Sequence, residues 1–386
     1  MKNIFRRFLR KNIPEVVSLK SPAVKNGNVL LSYLISPFLL RPDETFPLTH
    51  TNYWECFQMA QTFLDFGYDV EVINWNNMTF IPKKQYDFFI DIHCNMERLA
   101  PILNKDCYKI LHITGAHWLF QNHAEYERLL SLQKRRGISL YPRRLALPSL
   151  AVEHADCATI LGKNFTIDTF KYSQKHIYQI PISTTILFSW LKDKDYQKIK
   201  NNFLWFGGPG MVHKGLDLVL EVFSQMPDYR LIVCGPVQKE KDFEQAFYNE
   251  LYKTENISTI GFIDVSSNKF LEIVKNCIGV VNPSCSEGGG GAIITCMHAG
   301  LIPIISYETG IDVFDFGICL KDCSIEEIKN AVTQVSAFSE DKLKTMSKKA
   351  WEYARTNHTR EKFADAYRKI IASVIAKKNE NSNTST

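Results

Sequence analysis

Short apolar runs alternate with longer segments of helical spacing along most of the 386-residue chain. In the first half the runs are NVLLSYLI from Asn28, DVEVINW from Asp69, YDFFIDIH from Tyr86, YKILHITG from Tyr108 and CATILG from Cys157, each closed by a polar or glycine-rich turn. Apolar runs of this length between turn signals predict buried strands. YWECFQMAQTFLDFGY, from Tyr53, instead has helical spacing and ends near a glycine, as helices do. Around Pro181 the pattern fades into PISTTILFSWLKDKDYQKIKNN, polar and charged like a linker. A second series then begins: FLWFGGPG, YRLIVCGP, ISTIGFI, CIGVVNPS and LIPIISYE. Strands alternating with helices predict parallel sheets covered on both faces, and ligands in such sheets lie at the carboxyl ends of the strands. The pattern therefore predicts two α/β domains, over residues 1–185 and 202–355, joined by a linker at 186–201. A helix follows over 356–375, and the tail 376–386, with no apolar residue beyond Ala376, is expected to be disordered.

Composition narrows the class. Hydrophobic residues make up 45% and charged residues 23%, as in an ordinary globular protein. The net charge of +5 is small for this length, so its distribution matters more than its sum. The ten cysteines are scattered, form no C-x-x-C pair and fall largely inside apolar runs, which fits free thiols in a reducing cytoplasm. The start lacks a secretory pattern, and the longest apolar stretch, VLLSYLISPFLL from Val29, is too short to span a bilayer. A cytoplasmic protein is expected. In MKNIFRRFLRK, Ile4, Phe5, Phe8 and Leu9 share one helical face and basic residues hold the rest. That fits a peripheral contact with the inner face of an anionic membrane, and equally a solvated terminus.

Two glycine loops carry candidate chemistry. In the first, a strand ends in Gly207-Gly208-Pro209-Gly210 and Lys214 stands at the start of an amphipathic helix, where its charge suits a diphosphate. It is no Walker A loop, because Lys214 is followed by Gly215. In the second, the strand CIGVVNPS leads to Glu287, then Gly288, Gly289, Gly290 and Gly291, then the helix AIITCMHAG. Bare backbone at a helix N-terminus accepts a phosphate, and a carboxylate accepts hydrogen bonds from sugar hydroxyls. Together they suit a nucleotide sugar. A solvated glutamate on a surface turn is the bland alternative.

With these motifs in order, the second half resembles the C-terminal domain of retaining GT-B glycosyltransferases of the family-4, or group 1, type. Lys214-Gly215, the strand end at Gly235, Gly261-Phe262, PSCSEG from Pro283 and AGLIPIIS match that pattern over about Asn202 to Ile375. The resemblance implies two Rossmann-like domains with parallel sheets facing across a cleft, and a final helix that packs back on the first domain. It implies a hexosyltransferase acting with retention on a glycan or lipid-linked glycan in the synthesis of a cell-surface polysaccharide such as lipopolysaccharide or capsule. Donor-binding residues would be Gly207, Gly208, Lys214, Gly235, Phe262, Glu287, Gly288 to Gly291 and Thr295. Glu287, Lys214 and His117, the last just past a strand end in LHITGAHW, would be catalytic, with His93 as second choice for the histidine. No metal or cofactor is required, the nucleotide sugar being a substrate. Two positions depart from the family: its arginine beside the first loop is replaced by Gly208 or Pro209, and its second glutamate by Thr295. These departures keep a non-catalytic sugar-nucleotide-binding subunit in view, and an epimerase of the same fold is a further alternative.

The acceptor side is marked only by His50, Thr51 and Asn52, in the loop after the first strand. Lys134, Arg135, Arg136, Arg143 and Arg144 form a basic segment that could face anionic lipid or a lipid diphosphate, or be a solvated basic face; no nucleic-acid recognition motif accompanies it.

Overall fold

A computed structural model describes residues 14–384. The basic segment of residues 1–11 lies outside the described residues.

The first sheet contains β1 (Val17–Leu19), β2 (Gly27–Tyr33), β3 (Tyr68–Asn74), β4 (Phe88–Asp91), β5 (Tyr108–Ile113), β6 (Cys157–Leu161) and β7 (Ile177–Ile180). Their order is β1-β3-β2-β4-β5-β6-β7, all parallel except β1, which pairs antiparallel with β3. The second contains β8 (Asn202–Phe206), β9 (Arg230–Cys234), β10 (Ile257–Thr259), β11 (Gly279–Asn282), β12 (Ile302–Ser306) and β13 (Ile318–Leu320), in the order β10-β9-β8-β11-β12-β13, all parallel. The apolar runs are the central strands: β4, β6, β11 and β12 are buried at every position, because helices cover both faces. β1, β7 and β13 are three or four residues long and lie at sheet edges, where burial is partial.

In the second sheet the chain leaves β8 toward β9 on one side, while β11 leads to β12 on the other. The β8/β11 boundary is thus the switch point, where α/β sheets open a crevice at the strand ends. Both glycine loops follow these two strands. In the first sheet the equivalent boundary is β2/β4, and the loop that carries His50 follows β2.

The domains meet along these strand ends. Gly288, after β11, approaches Thr114–Gly115, after β5, and Gly162, after β6. The helix Trp118–Arg136 reaches across, placing Leu132 in the apolar core of the second domain. The helix Arg360–Thr384 packs against the helix Asn52–Asp65 of the first domain, with ion pairs Arg368–Asp65 (2.8 Å) and Lys378–Asp87 (3.3 Å). It stays helical through residues 376–384, where a disordered tail is expected: Lys377 reaches the Tyr178 hydroxyl (3.0 Å), so the segment is anchored on the first sheet. Among the described residues no helix is long and apolar enough to cross a membrane.

Candidate active site

Lys214 and Glu287 meet at the switch point. Lys214 Nζ donates to Glu287 Oε1, and the two side chains are only 11% and 16% exposed. Ser284 Oγ donates to the same carboxylate oxygen (3.0 Å), and Glu287 N–H is fixed by the Glu308 carbonyl (3.0 Å). Burial pushes the Glu287 carboxyl up, but the charges of Lys214, His213 and Arg144 outweigh it and hold the group down at about 2. The side chain is therefore an ionised acceptor at neutral pH.

Beneath the pair, His213 is 1% exposed. Its Nε2–H faces the Ser286 carbonyl (2.6 Å), and its Nδ1 faces the carboxylate of Glu125 (3.3 Å), which comes from the helix Trp118–Arg136 of the other domain. Glu125 also accepts the backbone N–H groups of Arg143 (2.5 Å) and Arg144 (2.8 Å). Although burial raises the Glu125 carboxyl, His213 and these amides lower it on balance. Nothing in the sequence flags Glu125: it is one glutamate in a helix, and only the fold brings it to His213.

The first glycine loop is held from below. Glu240, 5% exposed, accepts the N–H groups of Gly210 (2.5 Å) and Met211 (3.1 Å), and Gly207 N–H donates to the Cys234 carbonyl (3.1 Å). These amides are therefore not directed at a ligand. Gly235, expected at the donor, lies against the buried Trp205 ring, where a Cβ would stand 2.6 Å from a ring carbon. Gly208 has open space where its Cβ would be, and Phe262 is 65% exposed beyond β10.

The second glycine loop is shut. Gly288, Gly289 and Gly290 are buried, and a Cβ on Gly288 would lie 2.0 Å from the Thr114 carbonyl oxygen. Gly289 and Gly291 pack on Ile182 of the first domain, and Gly290 against Ile311. The expected phosphate cradle is here a seam between domains: bareness lets two backbones touch. Thr295 Oγ1 donates to the Gly291 carbonyl (2.9 Å), leaving its lone pairs to accept.

His117 is expected to face the donor sugar, but its ring is turned into its own domain. Nδ1 accepts the Leu119 N–H (3.3 Å) at the start of the helix Trp118–Arg136, Nε2 meets the Tyr172 hydroxyl (3.1 Å), and Phe170 packs edge-on to the ring. At 6% exposure it is a helix cap. His93 lies beside Cys94 and Trp75, also within the first domain.

On the acceptor side, Thr51 Oγ1 donates to the buried Glu55 (3.2 Å), and the buried Asn52 Oδ1 has no partner. His50 is exposed to solvent but feels the pair: desolvation, then the positive charges of Arg144 and Lys214, lower its pKa, and Glu287 opposes them. Its Nδ1 accepts the Asn52 N–H (3.2 Å). The basic segment is a solvated face only at Lys134 and Arg144, which are exposed; its other three cations meet acids. Arg135 pairs with Asp217 (2.6 Å) and Glu221 (3.2 Å), Arg136 with Glu250 (2.6 Å) and Arg143 with Asp242. It is an ionic seam to the second domain, because the helix Trp118–Arg136 lies along acidic residues that sequence distance conceals.

The family model of glycosyl transferases group 1 matches residues 191–353, which include both Lys214 and Glu287. No curated protein matches the chain in sequence. In fold it is similar to sucrose-phosphate synthase from Thermosynechococcus elongatus, with TM-score 0.64 and 15% identity over 90% of this chain and 99% of that one. It is also similar to Anabaena HepE in complex with UDP and glucose, with TM-score 0.56 and 12% identity over 90% of this chain and 99% of that one. WaaG, a glycosyltransferase involved in lipopolysaccharide biosynthesis, matches at TM-score 0.51 and 13% identity, over 89% of this chain and 99% of that one. With two facing parallel-sheet domains the chain has the GT-B fold, and its residues 191–353 match the model of glycosyl transferases group 1.

Proposed function

We propose that this enzyme transfers a hexose from a nucleotide sugar to a glycan or lipid-linked glycan, with retention, in cell-surface polysaccharide synthesis. The observation that carries the reading is the buried Lys214–Glu287 pair at the β8/β11 switch point. Glu287, ionised and offering acceptor oxygens only, suits the donor's sugar hydroxyls. The Lys214 ammonium has three donors, so it can keep Glu287 and reach a phosphate oxygen. There it would stabilise the charge that develops as the nucleoside diphosphate departs. Gly208 leaves room for that diphosphate, Phe262 offers a face for the base, and Thr295 can accept from a ribose hydroxyl. His50, its pKa lowered by desolvation and then by its cationic neighbours, marks the side from which the acceptor would enter. Kinship with HepE and WaaG in fold supports a nucleotide-sugar donor and a cell-surface product. Closure of the two domains would keep water from the donor.

The test is a thermal-shift screen against UDP-, GDP-, ADP- and dTDP-sugars, followed by turnover with the donor that binds. Stabilisation by one donor, lost in Glu287→Gln and weakened in Lys214→Arg, is expected. No shift with any donor, with or without a glycan acceptor, overturns the reading.

A further inference from the structure

The first glycine loop carries no arginine of its own, yet an arginine side chain of the first domain lies on it. Arg144 belongs to the first domain, in the extended segment after the helix Trp118–Arg136. Its stem lies on Gly210: a Cβ there would stand 2.5 Å from Arg144 Cγ. Gly210 has φ +98°, a conformation that favours glycine, so loop geometry and arginine stem fit one another. The Arg144 backbone is held at both ends, its N–H by Glu125 (2.8 Å) and its carbonyl by the Gln121 side chain.

Three neighbouring arginines are spent on acids of the second domain: Arg135 on Asp217 and Glu221, Arg136 on Glu250, Arg143 on Asp242. Arg144 is exposed, and among the described residues its guanidinium makes no hydrogen bond or ion pair. Its charge nevertheless reaches both Glu287 and His50, so it stands over the same crevice. An exposed, unpaired guanidinium beside a glycine loop whose Gly210 and Met211 amides are consumed by Glu240 is built for an anion that arrives from solution.

We propose that Arg144 binds the diphosphate of the donor, so that the first domain supplies the guanidinium absent from the second. This rests on the nucleotide-sugar reading above. Glu125 is then a positioning residue, tying Arg144 and His213 into one cross-domain unit. The diphosphate would lie between Lys214 of one domain and Arg144 of the other, so donor binding and domain closure would be one event.

The test is calorimetric titration of UDP, GDP, ADP and dTDP, each beside its monophosphate, into the unaltered protein, Arg144→Gln and Arg144→Lys. One diphosphate should bind, and Arg144→Gln should weaken it roughly tenfold or more, as loss of a charge-assisted contact does. The monophosphate should change by no more than about twofold, and Arg144→Lys should fall between, keeping charge without the planar fork. The melting temperature without ligand should not move, because the guanidinium holds nothing in the protein. In Arg144→Gln the His50 titration, followed by NMR, should move up as a lowering charge is withdrawn. Diphosphate affinity unchanged in Arg144→Gln but lost in Lys214→Arg would overturn the role of Arg144 and leave the donor site standing. Failure of every nucleotide to bind the unaltered protein would overturn both.

Discussion

Gly207–Gly210 follows β8 and Gly288–Gly291 follows the adjacent β11, so two glycine loops stand side by side at one end of one sheet. In sequence they advertise the same thing, backbone that a phosphate can approach. In the structure Gly208 faces open space, and cations gather around its loop: Lys214 from the same domain and Arg144 from the other. Gly288 has a carbonyl oxygen of the first domain where its side chain would be, and Gly289 and Gly291 lie against Ile182. One loop stands open to solvent and the other is bare for the neighbouring domain. A glycine run reports close approach; it does not report what approaches.

The comparison breaks most sharply at Gly288. Gly288→Ala places a methyl within bonding range of the Thr114 carbonyl, so backbone must shift and the seam must open. A loss of about 3 kcal/mol or more in unfolding free energy is expected, with activity lost alongside, checked by urea denaturation and donor turnover. Native stability in this variant would mean that the seam is not closed in solution.

Lys214→Ala comes next. It leaves the Glu287 carboxylate enclosed without its cation, at a cost of about 3–5 kcal/mol. Adding Glu287→Gln should recover much of that loss, and a double-mutant cycle in denaturant measures the coupling.

Acid sharpens the same pair. The folded-state pKa of Glu287 lies below its usual value of 4.5, at about 2. Its contribution is therefore complete above the unfolded pKa and is lost as pH falls through the window from 4.5 to about 2. The stability gap between the unaltered protein and Glu287→Gln should narrow across that window in pH-dependent denaturation, and a constant gap would remove Lys214 as the carboxylate's partner.

The smallest effect belongs to the open loop. Gly208→Ala meets nothing within 4 Å, and a stability change within about 0.5 kcal/mol is expected. A several-fold rise in KM for the donor should accompany it, because the methyl occupies the space proposed for the diphosphate.

Much of the architecture was legible because it rests on local pattern. The strands from β2 to β6 and from β8 to β12 are continuous or alternating apolar runs, and burial between helices imposes that pattern on any sequence that fills the place. β7 was not legible: IYQI is half-exposed, and its place in the sheet comes from pairing with β6. Lys214 and Glu287 were each marked by a glycine loop of their own, but their joining came from the strand order, which sets β8 beside β11. His117 misled because a polar residue past a strand end fits two places equally, a ligand site or a helix cap, and only backbone direction separates them.

The sequence by itself determined two parallel-sheet domains and the two glycine loops with their Lys214 and Glu287, because strand burial and glycine loops are properties of contiguous residues. The tertiary structure decided which glycines stand open and which meet the other domain, and that Arg135, Arg136 and Arg143 pair with acids of the second domain. It also decided that Glu125 and Arg144, from the first domain, stand against the second domain's glycine loop. Those contacts join residues some 60 to 170 positions apart, and their energies come from burial and from the loss of water around facing charges. No local pattern encodes the distance at which two domains close.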